Sequence, residues 1–409
     1  MKEETLLSLL MEQSARVDES DEMLLLSERS PVAQYVNAVL KRAVQAQASD
    51  IHFEPFEKEL KIRYRVDGAL CEMPSPPLSL ASPVVSRLKV MANLNIAEKR
   101  APQDGRIRMS LAGREVDLRI STLPIQHGES IVLRVLDRDV AARLKLENLG
   151  MSEEIYQRVV RVTRQPSGVF IVTGPTGAGK TTTLYGCLNR INASGVKVLT
   201  VEEPVEYELE GVQQVPVQEA IGLTFSRVLR SFLRHDPDCI LIGETRDPET
   251  ARIAIQASLT GHLVLTSLHT GDASGAVARL LDMGVEPFLV SASLAGVLAQ
   301  RLLRKICVSC RIEHRIDPAL LRQNGVEEKN VFYRGKGCEE CRQGGYDGRC
   351  GIFEWMEVGE PIRELINRRA ASFLIRQKAV ESGMTTLRDE ALRKAREGVT
   401  TFEEALARV

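Results

Sequence analysis

The chain has 409 residues, 44% hydrophobic and 27% charged, which is ordinary for a soluble globular protein and long enough for two or three domains with buried cores. Its formal net charge of −1 offers no global attraction to nucleic acid or anionic lipid, although a local basic patch is compatible with it. The N-terminal run MKEETLLSLLMEQ is no signal peptide, and the most apolar long stretch, Leu289–Leu303, is interrupted by polar and basic residues; the expected compartment is therefore cytoplasmic, where eight cysteines are thiols or metal ligands rather than disulfides.

Residues 1–29 read as a short acidic lead-in. From Ser30-Pro31, the residues Val32, Tyr35, Val36, Val39, Leu40 and Val44 recur at helical spacing. A short strand around Ile51–Phe53 follows, then an alternating run from Lys61 to a turn at Asp67-Gly68, then a helix over Pro83–Asn95. Three further alternating runs are Arg106–Leu111 and Glu115–Ser121, joined through Ala112-Gly113, and Ile131–Leu136. Together they predict a small α+β domain over 30–138 with an antiparallel sheet. It is rich in arginine (Arg100, Arg106, Arg108, Arg114, Arg119, Arg134), and solvated strand faces would account for most of these side chains.

A charged linker over 139–150 leads into a parallel-sheet domain, 151–300. Its expected strands are Val169–Val172, Val196–Val201, Cys239–Ile242 and Leu263–Thr266. Helices over Thr181–Ile191, Thr224–Leu233, Pro248–Leu259 and Asp272–Asp282 alternate with them, as in a sheet covered on both faces. Between the first strand and its helix lies Gly174-Pro175-Thr176-Gly177-Ala178-Gly179-Lys180-Thr181-Thr182, a Gly-x-x-x-x-Gly-Lys-Thr loop. Glycines let backbone N–H groups approach phosphates, Lys180 can reach the β- and γ-phosphates, and the Thr181 hydroxyl can ligate Mg²⁺.

Glu244, one residue past the glycine that closes Cys239–Ile242, can hold Mg²⁺ through water or orient an attacking water. Glu202, Glu203 and Glu206 follow the next strand and converge on the same crevice, unless they form an uninvolved charged loop. His262 and His269 bracket Leu263–Thr266 at a spacing unsuited to a metal pair; they are γ-phosphate sensors or locally hydrogen-bonded histidines. Cys307, Cys310, Cys338 and Cys341 form two C-x-x-C knuckles that could complete a tetrahedral zinc shell within a subdomain over 301–352, the alternatives being free thiols or redox use. Cys71, Cys187, Cys239 and Cys350 read as ordinary thiols. Residues 353–409 are expected to be helical, with Thr386 and Thr401 as N-caps and Gly398 as a stop.

The runs GPTGAGKTTTLY, TVEEPVE, LRSFLRHDPDCILIGETRDPETA, ASLTGHLVLTSLHT and GVLAQRLLRKICVSC, with IAEKRAPQDGRI and GREVDLRISTLPIQHGESIVLRVLD upstream, resemble the secretion ATPases of the type II secretion and type IV pilus assembly family. The likeness runs from about Ser30 to the C-terminus and is narrower to the type II secretion assembly ATPases. It implies a RecA-like P-loop core preceded by a PAS-like α+β domain and followed by a zinc-binding and helical region. It also implies an ATPase that uses ATP and Mg²⁺, carries Zn²⁺, and works as a hexameric homo-oligomer at the inner membrane through secretion platform proteins. By the same resemblance Glu202, Glu203 and Glu206 form the "Asp box", Glu244 is the Walker B acid, and His262 and His269 frame the "His box". Arg119 and Arg134 match arginines that close over the nucleotide, and Arg230, Arg234 and Arg246 match others lining the site. Glu203 stands where the family has aspartate, which makes Glu206 the preferred water activator. The segment before Ser30 is shorter than the family's membrane-docking domain.

The expected function is thus a motor that hydrolyses ATP to power pseudopilus assembly and protein export. A pilus-extension ATPase is the alternative. A nucleic-acid motor is disfavoured by the near-neutral charge and 4% aromatic content, and no nucleic-acid partner is expected. A non-hydrolysing ATP-binding module is the third possibility.

Overall fold

The structure, a computed structural model, describes residues 30–111, 113–137, 145–327 and 330–409. The expected lead-in 1–29, Ala112 and the first half of the expected linker fall outside them. The chain forms two compact units, dividing between residues 142 and 143.

The first unit begins with α1 (Pro31–Gln45), whose N-cap Ser30 accepts the Ala33 N–H through its hydroxyl at 3.1 Å and whose first residue is a proline with no N–H to satisfy. Strands β1 (Asp50–Pro55), β2 (Leu60–Val66) and β3 (Ala69–Met73) follow, then α2 (Ala81–Met91), β4 (Gln103–Leu111), β5 (Arg114–Ile125) and β6 (Gly128–Asp137). They make one antiparallel sheet in the order β3-β2-β1-β6-β5-β4. Because side chains alternate, Ile51, Phe53, Ile62, Leu118, Ile120 and Leu133 bury one face against Val36, Leu40, Val84 and Leu88 of the helices. The register aligns Arg106 with Arg119, Arg119 with Arg134, Arg134 with Asp50 and Asp50 with Arg65, so these charges lie in one row across five strands.

The second unit carries α3 (Glu153–Val162) and then β7 (Gly168–Thr173), α4 (Lys180–Ile191), β8 (Val198–Glu202), β9 (Gln213–Pro216), α5 (Phe225–Phe232), β10 (Cys239–Ile242), α6 (Pro248–Leu259), β11 (Leu263–Leu268), α7 (Ala273–Asp282) and α8 (Pro287–Ser293). Three strands absent from the sequence reading complete its sheet: β9, β12 (Leu294–Ile306) and the late strand β15 (Tyr346–Met356). The order is β15-β12-β7-β11-β10-β8-β9, parallel throughout except for β15 against β12. Every residue of β8, β10 and β11 is buried, as expected of strands covered on both faces.

Between β12 and β15 the chain makes β13 (Arg311–His314), α9 (Pro318–Gln323) and β14 (Phe332–Gly335), the first and last forming a two-stranded sheet. The subdomain borders expected at 300/301 and 352/353 therefore fall inside β12 and β15. The chain ends with α10 (Glu360–Asn367), α11 (Ser372–Glu381), α12 (Leu387–Arg396) and α13 (Phe402–Ala407). Thr386 and Thr401 cap the last two helices, accepting from the N–H groups of Asp389 and Glu404 at 3.2 and 3.1 Å. These helices bury Ile362, Ile366, Leu392 and Phe402 in the same core as β12 and β15, so the tail is part of this unit's core.

Candidate nucleotide site and metal centre

In the parallel sheet, the carboxyl ends of β7, β11, β10 and β8 face one edge, and the loops leaving them carry most of the residues singled out above. The loop after β7 turns through Gly177 and Gly179 at φ of +78° and +85°, a left-handed backbone that favours glycine. At Gly174 the constraint is space: a Cβ there would come within 2.6 Å of the Gln300 carbonyl. Pro175, Thr176 and Gly177 form the exposed tip, and Thr181 opens the first turn of α4 with its side chain exposed.

Lys180 folds back over the loop, donating to the Gly174 and Pro175 carbonyls at 2.8 and 3.1 Å. Burial pulls its ammonium group down to about 8, with Glu244 acting to raise it and Arg301 to lower it further. A partly desolvated ammonium hydrogen-bonded to two carbonyls gains strongly from an incoming phosphate.

At the end of β10, Glu244 is gripped by Arg246, whose Nε and Nη2 donate to its two carboxylate oxygens at 2.6 and 2.7 Å. The other Arg246 nitrogen, Nη1, donates to Glu203 at 3.1 Å, and His269 Nε2 lies 3.3 Å from Glu244. Glu203, Arg246, Glu244 and His269 therefore form one polar cluster contributed by three adjacent strand ends. The bond to Glu244 raises the Arg246 guanidinium further above its ordinary value.

Several expected residues lie elsewhere. Glu202, the last residue of β8, is 3% exposed and points into the protein. It accepts from Thr200 at 2.6 Å, from Gln214 at 3.1 Å, and from the Tyr185 hydroxyl. Burial raises its carboxyl, the three hydrogen bonds oppose that rise, and Glu206 adds to it. Tyr185 also accepts the Glu206 N–H at 3.3 Å, so the acidic loop is fastened to α4 from behind. The half-buried Glu206 remains on that loop.

His262 precedes β11, and about 20 Å of strand separates it from His269 at the other end. Its Nδ1 lies 2.8 Å from the Ala257 carbonyl. It stands at the sheet edge opposite the phosphate loop and does not join the acids. Arg230 pairs with Glu249, and Arg234 donates to the Arg230 carbonyl at 2.8 Å, so of the three site arginines Arg246 is the one bonded to Glu244. In the other unit Arg134 holds Asp50 at 3.2 Å, beside Arg119 in the charged row.

The four predicted cysteines converge, their Sγ atoms all lying within 4.8 Å of one another. Cys307 to Cys338 and Cys310 to Cys341 are 3.8 Å apart, and Cys338 to Cys341 is 3.7 Å. A zinc tetrahedron with Zn–S bonds of about 2.3 Å has edges of about 3.8 Å, whereas a disulfide requires about 2.05 Å. Backbone N–H groups of Gly337 and Gly345 donate to Cys310 and Cys341 at 3.3 and 3.2 Å, the kind of support a thiolate pair needs. The donor set and spacing fit zinc, and Cys350 lies outside the cluster, on β15.

Sequence reasoning missed the residues that hold the site together. Thr173 Oγ1 accepts the Thr270 N–H at 3.0 Å, tying the loop that bears His269 to β7. Gln300 and Arg301 flank the phosphate loop from β12. The available signal was a polar pair inside the apolar run GVLAQRLL.

A glycine-rich phosphate loop between strand and helix, beside an acid closing the next strand but one of a parallel sheet, defines a P-loop nucleotide-binding protein with a RecA-like core. The fold is shared with the Legionella pneumophila ATPase DotB, at a TM-score of 0.68 and 19% identity over 91% of this chain and 95% of that one. The family described as "Type II/IV secretion system protein" matches residues 26–407. Type II secretion system protein E of Pseudomonas aeruginosa is 49% identical over 393 residues, 96% of this chain and 78% of that protein. Type II secretion system ATPase E of Vibrio cholerae is 47% identical over 390 residues, covering 95% and 77% respectively. The chain belongs to the type II secretion assembly ATPase family.

Proposed function

We propose that this chain hydrolyses ATP to drive pseudopilus assembly, and thereby protein export, in a type II secretion system. The observation that carries the proposal is the Glu203–Arg246–Glu244–His269 cluster at the strand ends beside the phosphate loop, in a chain of this family. The loop's N–H groups and Lys180 bind the phosphates, and Thr181 with Glu244 would hold Mg²⁺. Bound there, Mg²⁺ neutralises charge developing on the phosphates. Glu206, on the loop after β8, takes the role of orienting the attacking water. Arg246 and His269 hold Glu244 in place, and when the phosphate arrives His269 can donate to a γ-phosphate oxygen. Arg119 and Arg134, neighbours in the charged row, would by the family resemblance provide cations for the transition state.

Zn²⁺ held by Cys307, Cys310, Cys338 and Cys341 would be structural, since four thiolates would leave no open coordination position. No described helix is long and apolar enough to cross a membrane. We place the protein in the cytoplasm as a hexamer, held at the inner membrane by platform proteins. The test is co-purification with candidate inner-membrane secretion and pilus-platform proteins, scored with ATPase rate. Capture by the secretion platform with a raised rate supports the proposal; stimulation only by pilus-platform proteins transfers it to pilus extension.

A further inference from the structure

Gln300 is a polar side chain only 2% exposed, inside a strand that is otherwise largely apolar. β12 pairs with β7 as far as Ala299 against Thr173, so the next residue of each strand, Gln300 and Gly174, come side by side where the phosphate loop starts. Both ends of the Gln300 amide are used. Its Nε2 donates to the Ala178 carbonyl at 2.7 Å, and its Oε1 accepts from the Thr183 hydroxyl at 2.8 Å. The Gln300 backbone is packed against Gly174 closely enough to forbid a Cβ there.

In a trans peptide the C=O and the following N–H point in opposite directions. A buried donor that holds the Ala178 carbonyl therefore also aims the Gly179 N–H away from Gln300, out of the packed back of the loop. The second bond, through Thr183, fixes the same amide to the first turns of α4. Nothing in the loop's own sequence supplies either anchor.

We propose that Gln300 is a positioning residue: from β12 it presets the peptide between Ala178 and Gly179 so that the loop is formed for the β-phosphate before nucleotide arrives. The proposal rests on the nucleotide-binding reading above. Without the anchor, the loop must be ordered at the expense of binding, and the loss falls on ligands that have a β-phosphate.

The test uses the full chain with Gln300→Met, which keeps length and removes both bonds, and Thr183→Val, which removes one. Dissociation constants for ATP, ADP and AMP are measured by competition, together with the melting temperature of the nucleotide-free protein. Gln300→Met is expected to weaken ATP and ADP by about tenfold or more while AMP changes less than about twofold. In the double variant, Thr183→Val should add less than its own separate effect, because both act through one amide. Unchanged ATP and ADP binding in Gln300→Met overturns the proposal, as does an equal loss for AMP. If Gln300→Met does not fold, Thr183→Val alone decides: a loss confined to ATP and ADP supports the proposal, and unchanged binding overturns it. Wild-type protein that binds none of the three, or a Lys180→Ala variant that binds ATP like wild type, refutes the nucleotide-binding reading instead.

Discussion

Replacing Cys341 by serine tests the metal centre, whose sulfur spacing fixes the bond length an ion there must have. The closest Sγ separations are 3.7 and 3.8 Å, and dividing a tetrahedral edge of that length by about 1.63 puts a central ion about 2.3 Å from each sulfur, the zinc–thiolate bond length. X-ray absorption at the zinc edge should therefore fit four sulfurs at that one distance, with metal analysis giving about one zinc per chain. Cys341 receives two backbone N–H groups, from Cys338 and Gly345, so its loss removes a ligand and unties the second knuckle. In Cys341→Ser, zinc should fall to about a tenth of that content or less, and limited proteolysis should cut between Cys310 and Cys338. The large sheet should survive, because β12 and β15 are paired over nine positions independently of the cluster. A wild-type protein purified under reducing conditions without zinc, a fit requiring nitrogen or oxygen ligands, or a sulfur–sulfur distance near the disulfide value of about 2.05 Å would refute this reasoning.

Two further outcomes follow from ion pairs and charge rows. Arg304 donates to the buried Glu404 at 3.1 and 2.6 Å, fastening α13 to β12; Arg304→Leu should destabilise the protein by about 2 kcal/mol near neutral pH in denaturant melts, because it leaves the buried carboxylate to Arg408 at 3.2 Å and one backbone N–H. Burial alone would raise the Glu404 carboxyl, but Arg304 together with Arg408 more than offsets it, so the net shift is downward: the stabilisation is complete above the ordinary carboxylate value and fades as pH falls through the depressed one. The penalty of Arg304→Leu should accordingly shrink on acidification, and a pH-independent penalty would contradict the pairing. Arg119→Ala or Arg134→Ala should lower kcat at least about tenfold while the dissociation constant for ATP changes little; equal loss of ATP binding would remove their transition-state role.

The phosphate loop, the Walker B position and the cysteine knuckles were legible because each is contiguous in sequence, so spacing alone carries the geometry. β12 was not, because a strand buried on both faces shows no alternation, and its mainly apolar first half reads equally as helix or strand. The Gln300–Arg301 pair stands out inside the run GVLAQRLL, but the role of Gln300 does not follow from it, because the carbonyl it holds is 122 residues away. Within the acidic run, nothing local separates Glu202 from Glu203. Glu202 ends β8 and is drawn inward by Tyr185, Thr200 and Gln214, while the next residue turns out to Arg246. His262 and His269 looked alike as brackets around a strand, yet the full length of β11 places them at opposite edges of the sheet, and only His269 reaches an acid.

The central claim, that Glu244 at the end of β10 makes this a hydrolysing motor rather than a holder of ATP, is tested most directly by phosphate release. Wild-type protein with ATP and Mg²⁺ should release phosphate steadily, Lys180→Ala should abolish release together with binding, and Glu244→Gln should bind ATP with turnover reduced at least about hundredfold. Wild type that binds ATP without releasing phosphate, or Glu244→Gln that turns over at the wild-type rate, would contradict it.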